Sequence, residues 1–231
     1  MEKTIRHITV FTGAGISAES GLQTFRGTDG LWEGYRIEEV ATPEAWHRNP
    51  DLVQQFYNIR RKACLEAKPN AAHYAVVELA KYYEVDIITQ NIDDLHERAG
   101  STRVLHLHGE IVKSQSSVNP NLTYPIAGTE IRTGDKCALG SQLRPHVVWF
   151  GEAVPNMERA FKIVKQTDML VVIGTSLKVY PAAQLVYEVG NDCEIVVIDP
   201  YALDNKIPGR VTYIAEKATV GVVDLVKRLA K

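Results

Sequence analysis

Two histidines, His106 and His108, stand two residues apart in LHLHGEIVKSQSS, residues 105–117. On a strand that spacing puts both rings on one face, which suits a pair of metal ligands or a catalytic base. A neutral imidazole, with an unperturbed pKa of about 6.5, can take up a proton at neutral pH. A strand histidine serves equally well as a satisfied core residue, and spacing alone leaves the three readings open. A second polar group, Gln90, Asn91 and Asp93, follows the apolar run VDIIT. It reads either as a strand-to-helix cap, with Asp93 capping the segment DLHERAG, or as the polar end of a ligand site.

Two further stretches carry chemistry by type and spacing. In VFTGAGISAESGLQTFRG, residues 10–27, Gly13, Gly15 and Ala18 satisfy the looser G-x-G-x-x-G/A phosphate pattern after a strand. Gly13 allows the tight turn, Gly15 lets the backbone approach a pyrophosphate, and a following helix N-terminus attracts its charge. A dehydrogenase would next need a second strand ending in an acid for the ribose. The chain instead runs TFRGTDGLWEGY, a loop with Arg26, Asp29 and Trp32, so a nucleotide is expected but hydride transfer gains no support. The segment NPDLVQQFYNIRRKACLEAK, residues 49–68, reads as one helix on which Tyr57 and Arg60 share a face. Periodicity alone favours an amphipathic helix with its aromatic in the core and a basic, solvated face.

These residues sit at the ends of short β-branched runs that read as buried strands. The runs span 7–12, 85–91, 104–108, 146–150, 169–175, 194–199 and 211–215. Helical patterns at 70–83, 156–166, 181–190 and 219–231 separate several of them. Strands alternating with helices imply an α/β fold, a parallel sheet with helices on both faces. Residues 34–69 are mostly helical, and 110–144 are rich in Ser, Asn, Thr, Pro and Gly. Both read as insertions, one helical and one loop-rich, that make a smaller lobe beside a main part over about 1–33, 70–109 and 145–231. Ligands in such folds bind beyond the carboxyl ends of the strands.

Composition narrows the function. A chain of 231 residues, 45% hydrophobic and with a formal charge of -2, suits one substantial domain without a broad basic field. Nucleic acid is therefore not an expected partner. No apolar run is long enough to span a bilayer, and the N-terminus enters a strand without a signal-peptide core. The three scattered cysteines, Cys64, Cys137 and Cys193, suggest a reducing, cytoplasmic location with no disulfide framework.

Taken together, GAGISAESG with TFRG, TQNIDDLHERAG, LHG, RPHVVWFGE and GTSLKVYPAA resemble the motifs of the sirtuins, NAD-dependent protein-lysine deacylases, in family order over nearly the whole chain. The resemblance implies a Rossmann-like domain, a smaller lobe and an active cleft between them. It assigns NAD to Gly13, Ala14, Gly15, Ser17, Phe25, Arg26, Trp32, Gln90, Asn91, Ile92 and Asp93. Gly174, Thr175 and Ser176 are added for phosphate or ribose. Where the family commonly has an adenosine-side Asn this chain has Val197 and Asp199, so Asp199 and the following Ala218 are assigned there. Catalysis is assigned to His108, Asn91 and Asp93, with His108 taking a proton from a ribose hydroxyl, and His106 returned to the core. An acyl-lysine protein or peptide is the implied substrate, lining against Val147, Phe150, Gly151 and Glu152. Nicotinamide, deacylated lysine and O-acyl-ADP-ribose are the implied products.

Within the family the Tyr-x-x-Arg pair resembles the desuccinylase and demalonylase branch, with Tyr57 and Arg60 holding an acidic acyl group and Ala41 leaving room for it. The chain departs from most sirtuins in the insertion, where two cysteine pairs usually hold a structural zinc. It has Cys137 there and no other cysteine, and one thiolate cannot make a tetrahedral site, so no zinc is expected. Leu122, Tyr124, Ile126 and Ile131 are then expected to hold the insertion by apolar contacts. Two other functions stay open on the sequence: mono-ADP-ribosyl transfer from the same NAD site, and a non-catalytic NAD-sensing module.

Overall fold

Short runs rich in β-branched and aliphatic residues form strands whose two faces can both be buried. Six of them make one parallel sheet: β1 (His7–Thr12), β4 (Glu84–Thr89), β5 (Val104–His106), β9 (Met169–Ile173), β10 (Glu194–Ile198) and β11 (Arg210–Ile214). Their order is β11-β10-β9-β1-β4-β5. The computed structural model describes residues 5–24, 31–32, 34–201 and 207–230, with Leu31 and Trp32 placed by backbone alone. Phe25 and Arg26 lie outside these residues, as does the side chain of Trp32.

The chain runs outward from β1 through β4 to β5, then returns to the other side of β1 for β9, β10 and β11. That reversal makes a crevice at the carboxyl ends of β1, β4 and β9. The register keeps these ends level, with Thr12 opposite both Thr89 and Ile173. Helices α4 (Ala71–Leu79) and α7 (Ala218–Leu229) cover one face, burying Val76, Leu79, Val222 and Leu225 against Ile8 and Val10. Helix α6 (Met157–Lys165) covers the other through Ala160 and Val164, against Phe11, Ile88 and Leu170. Between α4 and β5 the chain also forms the short α5 (Leu95–Ala99). The segment expected as a helix over 181–190 is a 3₁₀ turn over Ala182–Tyr187.

A smaller lobe packs beside the crevice. A hairpin of β2 (Leu31–Trp32) and β3 (Tyr35–Arg36) leads into α1 (Ile37–Val40), α2 (Pro43–Arg48) and α3 (Pro50–Glu66). Thr42 and Asn49 cap α2 and α3 through Ala45 and Leu52, and a proline opens each helix. The insertion expected as loop-rich is a three-stranded antiparallel sheet, β7-β6-β8, from β6 (Gly109–Ser116), β7 (Thr123–Pro125) and β8 (Leu143–Val147). The run HVVWF therefore does not join the parallel sheet: it ends β8 and then leaves as a loop. Apolar content marks a buried strand but carries no information about which sheet receives it.

Polar groups tie this lobe together alongside a buried apolar cluster that includes Val53, Phe56, Ile111 and Trp149. Ile131 is buried, whereas Leu122, Tyr124 and Ile126 are only half-buried. Arg61 is fully buried, its Nε donating to the Ile111 carbonyl at 2.7 Å and its Nη1 to Asn58 and to the Thr129 carbonyl. Burial pulls its pKa down to about 10, which leaves it charged at neutral pH. Ser141 bonds both Ser116 and Cys137, at 2.9 and 3.0 Å.

Candidate active site

Glycine chemistry shapes the first wall of the crevice. The Gly15 N–H donates to the Gly174 carbonyl at 2.8 Å, so the exits of β1 and β9 touch backbone to backbone. A Cβ on Gly15 would meet Gly174 Cα at 2.5 Å, and Gly174 has a φ of +60°. Side chains are excluded from both by this contact, a reason for glycine that the phosphate pattern does not supply. The expected helix after the pattern is absent: Ala14–Ile16 and Ala18–Ser20 are single 3₁₀ turns. What faces the crevice here is bare backbone with the Ser17 hydroxyl behind it.

The exit of β4 supplies the polar side chains. Asn91 Nδ2 donates to Ser17 Oγ at 3.2 Å, and Ser17 Oγ donates to Asp93 Oδ2 at 3.1 Å. Asp93 Oδ1 also accepts from the N–H of Leu95, the first residue of α5, whose N-cap position is Asp94, and Asp93 lines the cavity as well. Burial raises the Asp93 pKa, while the bonds from Leu95 and Ser17 and the nearby His106 pull it back. Gln90 Nε2 reaches Thr175 Oγ1 at 3.0 Å, tying the β4 exit to that of β9.

His108 lies just beyond β5, and its Nδ1 is 3.0 Å from the Gln90 carbonyl oxygen. A carbonyl can only accept, so Nδ1 carries the proton and Nε2 keeps its lone pair. Burial lowers the pKa of His108, with the Gln90 bond opposing, and the ring is therefore a neutral base at physiological pH. His106 is set differently. Its Nδ1 lies 2.9 Å from the Asn91 carbonyl and its Nε2 2.9 Å from Glu97, so it is a hydrogen-bonded, not a passive, buried residue.

One continuous cavity brings the predicted groups together. Gly13, Ala14, Gly15, Ser17, Gln90, Asn91, Ile92, Asp93, His108, Gly174, Thr175 and Ser176 line one part. Ala41, Tyr57, Arg60, Val147, Phe150, Gly151 and Glu152 line the other. Asp199 and Ala218 do not line it; Asp199 is buried past the end of β10 with Oδ1 accepting from the Tyr201 N–H. The cavity also includes Cys64, Val179 and Tyr180, none assigned from sequence, and Trp149, which lies within the segment Val147 to Glu152 that the family resemblance makes a channel wall. Cys64 continues the helical face of Tyr57 and Arg60, a 3–4 spacing legible in α3.

At the acyl end Tyr57 is almost fully buried, and burial drives its pKa far up despite nearby Arg60. Its hydroxyl is a neutral donor. The Phe150 N–H donates to the Ala41 carbonyl at 3.0 Å, which brings the wall loop against α1. Glu152 lines the cavity, but its oxygens accept from Arg144 Nη2 and the Trp149 N–H, both at 2.8 Å. The Arg144 guanidinium in turn lies 3.8 Å over the Trp149 ring, so Glu152 braces this loop.

A doubly covered parallel sheet, a glycine-built cradle at its switch point and a neutral imidazole beside it define a dinucleotide-using α/β enzyme. The Sir2 family model matches residues 13–181, and the chain belongs to the Sir2 family. It is 51% identical over 225 residues to the NAD-dependent protein deacylase of Helicobacter pylori, covering 97% of this chain and 98% of that one. It is 48% identical to the protein of the same name from Bacteroides thetaiotaomicron, over 96% and 97% of the two chains. Among solved structures it resembles a Sir2 homologue bound to NAD, with a TM-score of 0.88, 39% identity and coverage of 98% and 90%. A mutant Sir2 homologue in complex with ADP-ribose gives a TM-score of 0.90 at 39% identity, over 98% and 92%.

Proposed function

We propose that this protein is an NAD-dependent protein-lysine deacylase that prefers acidic acyl groups. The observation that carries the reading is one cavity lined together by a backbone cradle that admits no side chain, by the His108 imidazole and by the pair Tyr57 and Arg60. NAD fits the first part, where Gly13, Gly15 and Gly174 leave bare backbone and Ser17, Gln90, Asn91 and Thr175 offer hydrogen bonds. When bound, NAD supplies an activated ribose carbon that accepts the acyl oxygen and releases nicotinamide.

The chain's own groups do the remaining work. Asn91 and Asp93, linked through Ser17, hold the nicotinamide end. His108 Nε2 takes the proton from a ribose hydroxyl and is kept neutral for that task by burial. Val147 to Glu152 wall the acyl-lysine channel, and main-chain pairing along this segment lets peptides bind with little regard to sequence. At its end, the Arg60 guanidinium can hold a carboxylate in a two-bond fork, with the Tyr57 hydroxyl as a third donor. Ala41 leaves the length that a succinyl or malonyl group needs. The deprotonated ribose oxygen takes over the acyl carbon, one water is consumed in releasing the amine, and the products are deacylated lysine, nicotinamide and O-acyl-ADP-ribose.

The substrate is a protein or peptide, and the place of action is the cytoplasm. Among the described residues no helix is long and apolar enough to cross a membrane. No structural zinc is needed in this reading, because the insertion carries one cysteine, Cys137, and one thiolate cannot make a tetrahedral site. The experiment is incubation with NAD and acetyl-, malonyl- and succinyl-lysine versions of one peptide. Nicotinamide, deacylated peptide and ADP-ribosylated protein are followed together. Peptide deacylation faster for the acidic acyl groups supports the reading. ADP-ribosylated protein without deacylated peptide, or no turnover, rejects it in favour of transfer or sensing.

A further inference from the structure

The turn Gln90–Asp93 carries three of the polar side chains that line the cavity, Gln90, Asn91 and Asp93, and three of its successive carbonyls are each held. The Gln90 carbonyl accepts from His108 Nδ1 at 3.0 Å, the Asn91 carbonyl from His106 Nδ1 at 2.9 Å, and the Ile92 carbonyl from the Ile111 N–H at 2.8 Å. The Asn91 N–H donates to Thr89 Oγ1 at 3.0 Å, and Thr89 accepts in turn from Thr12. Of these clamps, one has a carboxylate behind it. His106 Nε2 lies 2.9 Å from Glu97 on α5, with the histidine side chain only 7% exposed.

Neither Glu97 nor His106 lines the cavity, so neither can touch substrate there. A buried imidazole needs partners, and a core histidine would be satisfied by any carbonyl within reach. Here the carbonyl belongs to the residue whose amide faces the cavity and bonds Ser17, the link to Asp93. With both ring nitrogens facing acceptors, His106 is held in one orientation. Rotation of the peptide plane after Asn91 would break its bond and swing the Asn91 and Asp93 side chains together. His106 also lies near enough to favour the charged form of Asp93.

We propose that Glu97 and His106 form a positioning pair that aims Asn91 and Asp93 for the release of nicotinamide, by anchoring the Asn91 carbonyl from behind the cavity. It rests on the deacylase reading. Glu97 locks the imidazole, the imidazole locks the carbonyl, and the turn cannot relax when NAD and the acyl-lysine meet. A small misplacement of groups at the reacting centre is enough to cost on the order of 100-fold in rate.

The test uses the full chain with NAD and an acyl-peptide, reading nicotinamide release, KM for NAD and melting temperature. Glu97→Ala and His106→Leu are expected to lower kcat about 10- to 100-fold, with KM for NAD moving less than about threefold. His106→Asn places an amide nitrogen near the position of Nδ1, keeps the donor to Asn91, and is expected to recover much of the rate lost in His106→Leu. Glu97→Gln can donate to Nε2 of a neutral His106 and is expected to recover much of the loss in Glu97→Ala. Unchanged kcat in both Glu97→Ala and His106→Leu overturns the proposal, as does equal loss in His106→Asn and His106→Leu. If His106→Leu does not fold, Glu97→Ala against Glu97→Gln decides by the same criterion. An active wild type with unaffected variants overturns this proposal alone. A wild type that releases no nicotinamide with any acyl-peptide overturns it together with the deacylase reading.

Discussion

His106 and His108 donate from the same ring nitrogen, Nδ1, to the successive carbonyls of Asn91 and Gln90, yet they titrate in opposite directions. Burial works against charge on both. At His108 it prevails over the Gln90 bond, and the pKa falls. At His106 the hydrogen bond and charge of Glu97 outweigh it, and the pKa rises. Two residues of one strand exit are thus biased in opposite ways, the ring in the cavity toward its neutral form and the ring behind it toward its charged form.

The first prediction concerns that base. His108→Ala is expected to fold normally and to lose deacylation by roughly 10²- to 10⁴-fold. Because its pKa is lowered, the acid limb of kcat/KM in the wild type should lie below the ordinary histidine value of about 6.5. Activity is then flat through neutrality and falls only below that point. A well-folded His108→Ala enzyme with near-normal turnover would remove the residue from this role.

Specificity should rest on Arg60 and Tyr57. Removing one partner of a buried charge contact costs roughly 2–5 kcal/mol, which is about 30- to 4000-fold in rate. Arg60→Met is therefore expected to collapse the succinyl-over-acetyl ratio chiefly by losing desuccinylation, since an acetyl group makes no such contact. Tyr57→Phe removes only the third donor and should cost less. Measured kcat/KM on matched peptides decides it: wild type that removes acetyl faster than succinyl or malonyl places Arg60 outside acyl recognition.

Purified protein is expected to hold no stoichiometric zinc and to keep its activity in chelators. The insertion offers the single thiol of Cys137, which the Ser116 and Ser141 hydroxyls already engage and pull down to about 7. Elemental analysis finding one tightly held zinc per chain would contradict this.

Acid stability should be limited by a histidine outside the cavity. His73 is fully buried on α4, its ring packed edge-on to His96 at 5.0 Å, and its Nε2 has no hydrogen-bond partner among the described residues. Burial, with a smaller push from Arg98, lowers its pKa to about 4. The unfolded chain therefore binds a proton more readily than the folded one between about pH 6.5 and 4. Stability should be full above that window and fall as the pH drops through it, by about 3 kcal/mol from His73. The loss of denaturant-measured stability across this range is expected to be steeper in wild type than in His73→Gln, which keeps the contribution of buried His96, whose pKa burial also lowers. Parallel curves for the two proteins would refute it.

Much of this protein is local information. Runs of β-branched residues mark the six parallel strands, because burial on both faces favours runs rich in apolar side chains. The glycines of the first exit, Asn91, Asp93 and His108 each stand where a strand ends, and a helix brings Tyr57 and Arg60, i and i+3, to one face. Those positions are legible, whereas the roles given to them come from the family resemblance, since periodicity alone favours a solvated face for Arg60. Tertiary structure alone decided what depends on neighbours distant in sequence. Nothing in the adjacent arginines says that Arg60 faces the cavity while Arg61, fully buried, ties α3 to Ile111 and Thr129. Nothing in HVVWF says that it pairs with β6, and the contact of Gly15 with Gly174 joins exits some 160 residues apart. His106 reads as core by its pattern, and its pairing with Glu97 and the Asn91 carbonyl emerges only when α5, β5 and the turn meet. Periodicity records which side of an element is apolar. Which partner a polar group on that side will find is set by packing, through burial and charge that act across the fold.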